Sequence, residues 1–250
     1  MTVAWSPAER SQRQQLAASH RLVAHLGLED LTYNHITARV PGEETFLVKP
    51  MGHMFREVTA SNLEKYRLDG EPLMAGAPRP HDALLVLHAS VMRARPEIDC
   101  VIHTHSVANV AVSSLDCGLL PMSQHALTLY GQIGYHTFGG YEFDIAMRES
   151  VVRDLGDHSV LVLRNHGVLV VGRSIGEAYV RHHFYEMACR TQLAAAAAAA
   201  AAGCKIVVPS EAVRQHAAAQ VASTMARDAG YKDWPACLRL AESLYPDYRS

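Results

Sequence analysis

Fifteen of the 250 residues are histidines, and two of them stand one residue apart in His103-Thr104-His105. Imidazole is the commonest side-chain ligand for metals such as zinc. Cys100 to His105 alternates as a short strand, and strand residues two apart face the same way, so both rings can reach one ion from a rigid element. Two unrelated, half-buried histidines are the alternative, and a third ligand decides between the two readings. Arg164-Asn165-His166-Gly167 offers that ligand. It follows an apolar strand, and a glycine there lets the backbone turn tightly and frees the preceding imidazole to face a cleft. Three neutral imidazoles leave coordination positions for water or substrate, the arrangement of a catalytic Lewis acid rather than of a closed structural site.

The elements that must carry these residues follow from periodicity and breakers. Ala8 to Leu26 places Leu16, Ala17, His20, Leu22, Val23 and Leu26 at helical spacing, with Gly27 as the stop. Tyr33 to Val48 reads as two strands around Pro41-Gly42-Glu43-Glu44. Thr59 to Glu64 suggests a short helical turn, and Tyr66 to Pro72 a strand and turn. Asp82 to Arg95 is helical by period and ends at Pro96, because a residue before proline is pushed out of the α region. Val107 to Leu115 resumes a helix. Gly131 to His136, Val160 to Leu163 and Gly167 to Val171 read as strands. Ser174 caps a long helix that runs through the alanines to Gly203, and Pro209 to Gly230 predicts another. Interleaved helices and strands with local hairpins predict one α/β layered domain over residues 1–250, with a mixed or mostly antiparallel sheet.

Composition narrows the function classes. Hydrophobic residues make up 49% and charged residues 19%, with a formal net charge of -2, so neither disorder nor a nucleic-acid footprint is expected. The apolar tract from Leu193 to Ala202 is too short to span a bilayer, and the start of the chain has no apolar core of a signal peptide, so a cytoplasmic protein without a membrane partner is expected. Five widely spaced cysteines without a C-x-x-C pair imply neither a disulfide framework nor a thiolate zinc site.

A wider set of segments resembles the class II aldolase/adducin family, in its bacterial adducin-like branch. They are Asn34 to Arg39, Phe46 to Gly52, Glu57 to Leu63, Ala94-Arg95-Pro96 through His103-Thr104-His105, Pro121 to Gln124 and Asn165-His166-Gly167, with a similar closing segment from Trp234 to Tyr248. The resemblance runs in order over nearly the whole chain. It implies an α/β/α sandwich around a largely antiparallel sheet and a homotetramer with active sites at subunit interfaces. It also implies that His103, His105 and His166 hold a divalent ion, zinc or manganese, with iron possible.

The departures from the family pattern direct the functional expectation. Where the family's aldolases carry a glutamate for proton transfer, one turn before the histidine equivalent to His88, this chain has Leu84. His81 or Asp82 is the nearby substitute, although a helix-start aspartate commonly just caps. His88 itself is expected as a hydrogen-bonded core histidine. The family's phosphate-binding positions correspond to His35, Met51, Asp82 and Ala83, and a carboxylate and an alanine in place of hydroxyls disfavour a phosphate dianion. Lys49 and Arg39 are the cations that could pair with a substrate carboxylate, and Arg39 could equally bind neighbouring backbone. His125 falls near the place where the aldolases bring a tyrosine from the adjacent subunit as proton donor. Tyr130, Tyr135 and Tyr141 are the alternatives. The expectation is a metal-dependent lyase of an unphosphorylated hydroxy or oxo acid, with decarboxylation favoured over retro-aldol cleavage because only the latter needs a base. A non-haem iron oxygenase acting on an aromatic oxo acid and a non-catalytic adducin-like assembly module are the competing classes.

Overall fold

In the computed structural model, residues 5–73, 78–141, 144–225 and 230–250 are described. Among them, seven strands form one sheet in the order β3-β2-β1-β4-β7-β6-β5. These are β1 His35–Arg39, β2 Thr45–Val48, β3 Glu64–Arg67, β4 Cys100–Thr104, β5 Ile133–His136, β6 Val160–Leu163 and β7 Gly167–Gly172. Every adjacent pair is antiparallel except β5 and β6. The sheet needs two covered faces because β4, β6 and β7 are buried at every position.

Strand alternation sorts the core between those faces. Ile36, Ala38, Leu47, Cys100 and Ile102 point to one side, where α1 (Pro7–His25) and α8 (Asp233–Leu244) cover them. The same side continues over Val160, Val162, Val168 and Val170, beneath α3 (Val107–Ser113), α4 (Gln124–Thr128) and α6 (Ile175–Ala202). Phe46, Val48, Val101, Leu161 and Leu169 point to the other side, against the helix from Leu84 to Ala94 and α5 (Arg148–Leu155). The result is the expected α/β/α sandwich.

Three local details differ from the periodicity. The 82–95 helix is not uniform: Leu84–Ala89 winds as a π-helix and only Ser90–Ala94, α2, is α-helical. All six π residues are buried, so packing rather than propensity sustains the wider turns. The short helical segment near Thr59 lies earlier, as a 3-10 turn at Phe55–Glu57. Thr59 to Asn62 is instead a side-chain-stapled turn, in which the Thr59 N–H donates to Asn62 Oδ1 at 2.9 Å. The predicted 209–230 helix is α7, Glu211–Met225, and residues 226–229 lie outside the described residues. α6 runs through the alanine tract to a left-handed Gly203 (φ 63°), as the glycine stop requires.

Candidate metal centre

β4 delivers His103 to the face that carries Val101 and Leu169, and His105 stands just past the strand end. The neighbouring β6–β7 hairpin brings His166 alongside, since Leu163 pairs with Gly167 across a three-residue turn. The left-handed residue of that turn is Asn165 (φ 59°), a residue type that tolerates this region better than most. Gly167 has a different role from the one read in the sequence. It needs no special dihedral, but a Cβ there would lie 2.5 Å from the Thr104 carbonyl oxygen and 3.1 Å from His105 Cδ2. The absent side chain therefore lets β7 and the ligand-bearing end of β4 approach.

The three rings converge through their Nε2 atoms. His105 Nε2 is 2.8 Å from that of His103 and 3.0 Å from that of His166. His103 Nδ1 lies 3.0 Å from the Val168 carbonyl oxygen, which can only accept, so Nδ1 holds the proton and Nε2 presents its lone pair. His105 Nδ1 faces Asp30 Oδ2 at 3.2 Å, with the same consequence. Outward Nδ1–H bonds of this kind orient metal-binding histidines and raise their basicity. Lone pairs facing each other at such distances repel, and a shared cation removes the repulsion. Among the described residues this is the one cluster of three or more potential ligands, with its ligand atoms within 4.8 Å of one another. The donor set suits a borderline divalent ion with open positions. Burial and the two neighbouring rings hold the His103 pKa well below the ordinary imidazole value, so the ring is in the neutral form that a ligand needs.

Two residues that sequence reasoning did not assign complete the frame. Asp30 fixes the His105 tautomer, and Asn34 Oδ1 accepts the His105 backbone N–H at 3.1 Å while its Nδ2 donates to the Leu28 carbonyl at 2.8 Å. Asn34 is 1% exposed. Its presence beside His35 in the matched segment was the available signal.

The histidines border a cavity of about 720 Å³. His35, Lys49 and His81 are on its wall, as are Ala83, Leu84 and Tyr141. His35 stands directly opposite His103 across the β1–β4 pair; its Nδ1 is buried without a hydrogen-bond partner, and burial keeps the ring far below its usual pKa. Lys49 donates to the Thr32 carbonyl at 2.9 Å, and burial lowers its ammonium to about 8. His88 is fully buried behind this wall, 2.9 Å from Thr37 Oγ1 through Nδ1.

The remaining sequence candidates lie off the wall. Asp82 is exposed at the start of its helix. Arg39 donates to the Met92 carbonyl at 2.6 Å and sits 3.7 Å from Asp99, which ties the sheet to the 84–94 helix. His125 packs against Phe184 at 5.7 Å between ring centroids, on α4. Tyr130 bonds Glu211, and the Tyr135 hydroxyl accepts from the Leu119 N–H at 3.1 Å.

Residues 14–193 match the family model for the class II aldolase and adducin N-terminal domain. The chain belongs to the class II aldolase and adducin family. A Caulobacter vibrioides protein with a provisional class 2 aldolase name is 37% identical over 244 residues, 97% of this chain and 93% of the relative. Rat (Rattus norvegicus) alpha-adducin is 40% identical over 196 residues, which cover 77% of this chain but 26% of the adducin. The crystal structure of an aldolase II superfamily protein from Pseudomonas syringae superimposes with a TM-score of 0.91 at 38% identity, covering 98% of each chain. Within this class II aldolase and adducin fold, the three imidazoles converge at the wall of the cavity. None of the described helices is long and apolar enough to cross a membrane.

Proposed function

We propose that this chain is a divalent-metal-dependent carbon–carbon lyase acting on an unphosphorylated hydroxy or oxo carboxylic acid, with decarboxylation favoured over retro-aldol cleavage. The observation that carries the reading is one cavity wall that combines three convergent imidazoles with Leu84. Zinc or manganese, or in the competing case iron, would be held by His103, His105 and His166, and would supply an electrophile for substrate oxygens on which negative charge develops.

The chain's own groups divide the remaining work. Lys49 presents an ammonium at the cavity wall, held by the Thr32 carbonyl, and this suits a substrate carboxylate. Leu84 can neither take nor give a proton, so cleavage that begins with removal of a hydroxyl proton lacks a base at that position. Loss of carbon dioxide needs only a later proton on carbon. His35, His81 and Tyr141 are wall residues with N–H or O–H groups for that step. Asp82, exposed, is the weaker substitute for the base. His125 enters only through a second subunit, and the reading therefore includes a homotetramer.

The test is direct. Protein purified without chelators or a histidine tag, loaded with zinc or manganese, should release carbon dioxide from hydroxy or oxo acids without oxygen uptake. Leu84→Glu should not raise that rate. Comparable turnover of a ketose phosphate would move the assignment to aldol cleavage, and strict dependence on oxygen with iron would move it to an oxygenase. The 40% identity to alpha-adducin favours a second reading, an assembly module, which predicts no bound metal and no turnover.

A further inference from the structure

We propose that Glu64 and Tyr66 form a recognition subsite for a hydroxyl group at the end of the substrate remote from the three histidines; what occupies the histidine end rests on the lyase reading above. Sheet register places the pair. His103 is opposite His35, Thr37 opposite Val48, and Val48 opposite Glu64. Paired residues share a face, and so do residues two apart on one strand, so His103, His35 and Glu64 all point to the same side of the sheet. β3 and β4 are three interstrand spacings apart, about 14 Å. Both Glu64 and the histidines border the same cavity, so a ligand that touches both must span it.

The carboxylate is held and half committed. Tyr66, 7% exposed, donates its hydroxyl to Glu64 Oε2 at 2.7 Å. Among the described residues no other hydrogen bond or ion pair reaches the Glu64 side chain, which leaves Oε1 an uncommitted acceptor on a residue of the cavity wall. A fixed carboxylate accepts from a donor and repels a phosphate or a second carboxylate. Lys49 borders the same cavity, and the Glu64 carboxylate favours its charged form. That counter-charge makes a neutral hydroxyl a better match than an ammonium. Leu84, Leu87, Met51 and Phe138 on the wall suit an apolar body between the two polar ends.

The experiment uses zinc-loaded protein and three medium-chain β-oxo acids, whose loss of carbon dioxide leaves an enolate oxygen for the metal, and which differ only at the far end: a methyl, a primary hydroxyl, and the phosphate ester of that hydroxyl. Calorimetric affinity is measured alongside turnover. The hydroxyl acid should bind about tenfold more tightly than the methyl acid, because a site built around a fixed, half-buried acceptor penalises a ligand that leaves it unpaired. The phosphate ester should bind most weakly. Glu64→Ala should bring the hydroxyl and methyl acids to within about threefold, with metal content unchanged. Glu64→Gln, which keeps an acceptor of the same size, should retain part of the hydroxyl preference and relieve the exclusion of phosphate. Equal binding of hydroxyl and methyl acids to the native protein, or an undiminished preference in Glu64→Ala, overturns the subsite. Discrimination in binding with no turnover of any acid overturns the lyase reading and leaves the subsite standing.

Discussion

A metal site of this kind depends on which nitrogen of each imidazole holds the proton. Val168 and Asp30 take the outward Nδ1–H of His103 and His105, so the inward atoms are acceptors before any ion arrives. His103 is the most buried of the three, 2% exposed, and its ring forms edge contacts with both others. His103→Ala should therefore abolish stoichiometric zinc or manganese binding while the circular dichroism spectrum stays native; full metal content in that variant would disprove the assignment. Asp30→Asn keeps the shape but replaces an anion facing His105 Nδ1 with an amide, and metal affinity measured by competition with a chelator should fall about 10-fold or more. Unchanged affinity would show that Asp30 does not set the tautomer.

Among elements, the junction of β4 with the β6–β7 hairpin determines whether the ligands meet. Gly167→Ala would drive a methyl group to 2.5 Å from the Thr104 oxygen. Separating the strands to relieve it should cost about 1–3 kcal/mol and move His166 away from His103. Urea unfolding and metal titration check both effects, and native values for both would refute the packing argument. Asn165→Gly, which accepts the same left-handed turn, should keep full metal content. The π-helical winding of Leu84–Ala89 belongs to this scale too. It puts Leu84 and Leu87 on the cavity wall and buries His88 against Thr37, so the helix end is shaped by what it packs on.

Across the whole molecule, buried neutral histidines make stability pH-dependent. His20, on α1, and His182, on α6, are 0% and 1% exposed, and burial lowers them from 6.5 to about 3 and about 4. Below pH 6.5 the unfolded chain takes up protons that the folded chain refuses. Stability is thus full above that value and is lost as pH falls toward the folded pKa values. From pH 7.5 to 5.5 the two should remove about 2–3 kcal/mol together, read from urea midpoints. A midpoint that holds or rises over that interval would contradict the assignment of both rings as neutral. Assembly is a separate question at the same scale. Light scattering should give a tetramer, and an active monomer would remove His125 from the proposed chemistry.

Local pattern made much of this protein legible. The spacing of His103 and His105 at the end of a strand, the apolar runs of β4, β6 and β7, the cap and glycine stop of α6 and the ordered family segments are short-range properties written in neighbouring residues. Tertiary structure alone decided the rest, because strand register and helix packing join residues far apart in the chain. It brought Asp30 and Asn34 to His105, put the left-handed strain on Asn165 and the tight approach on Gly167, turned Asp82 to solvent, and widened the helix at Leu84. It also aligned Glu64 with His103 on one face through two intervening strands, a relation that no spacing in the chain encodes.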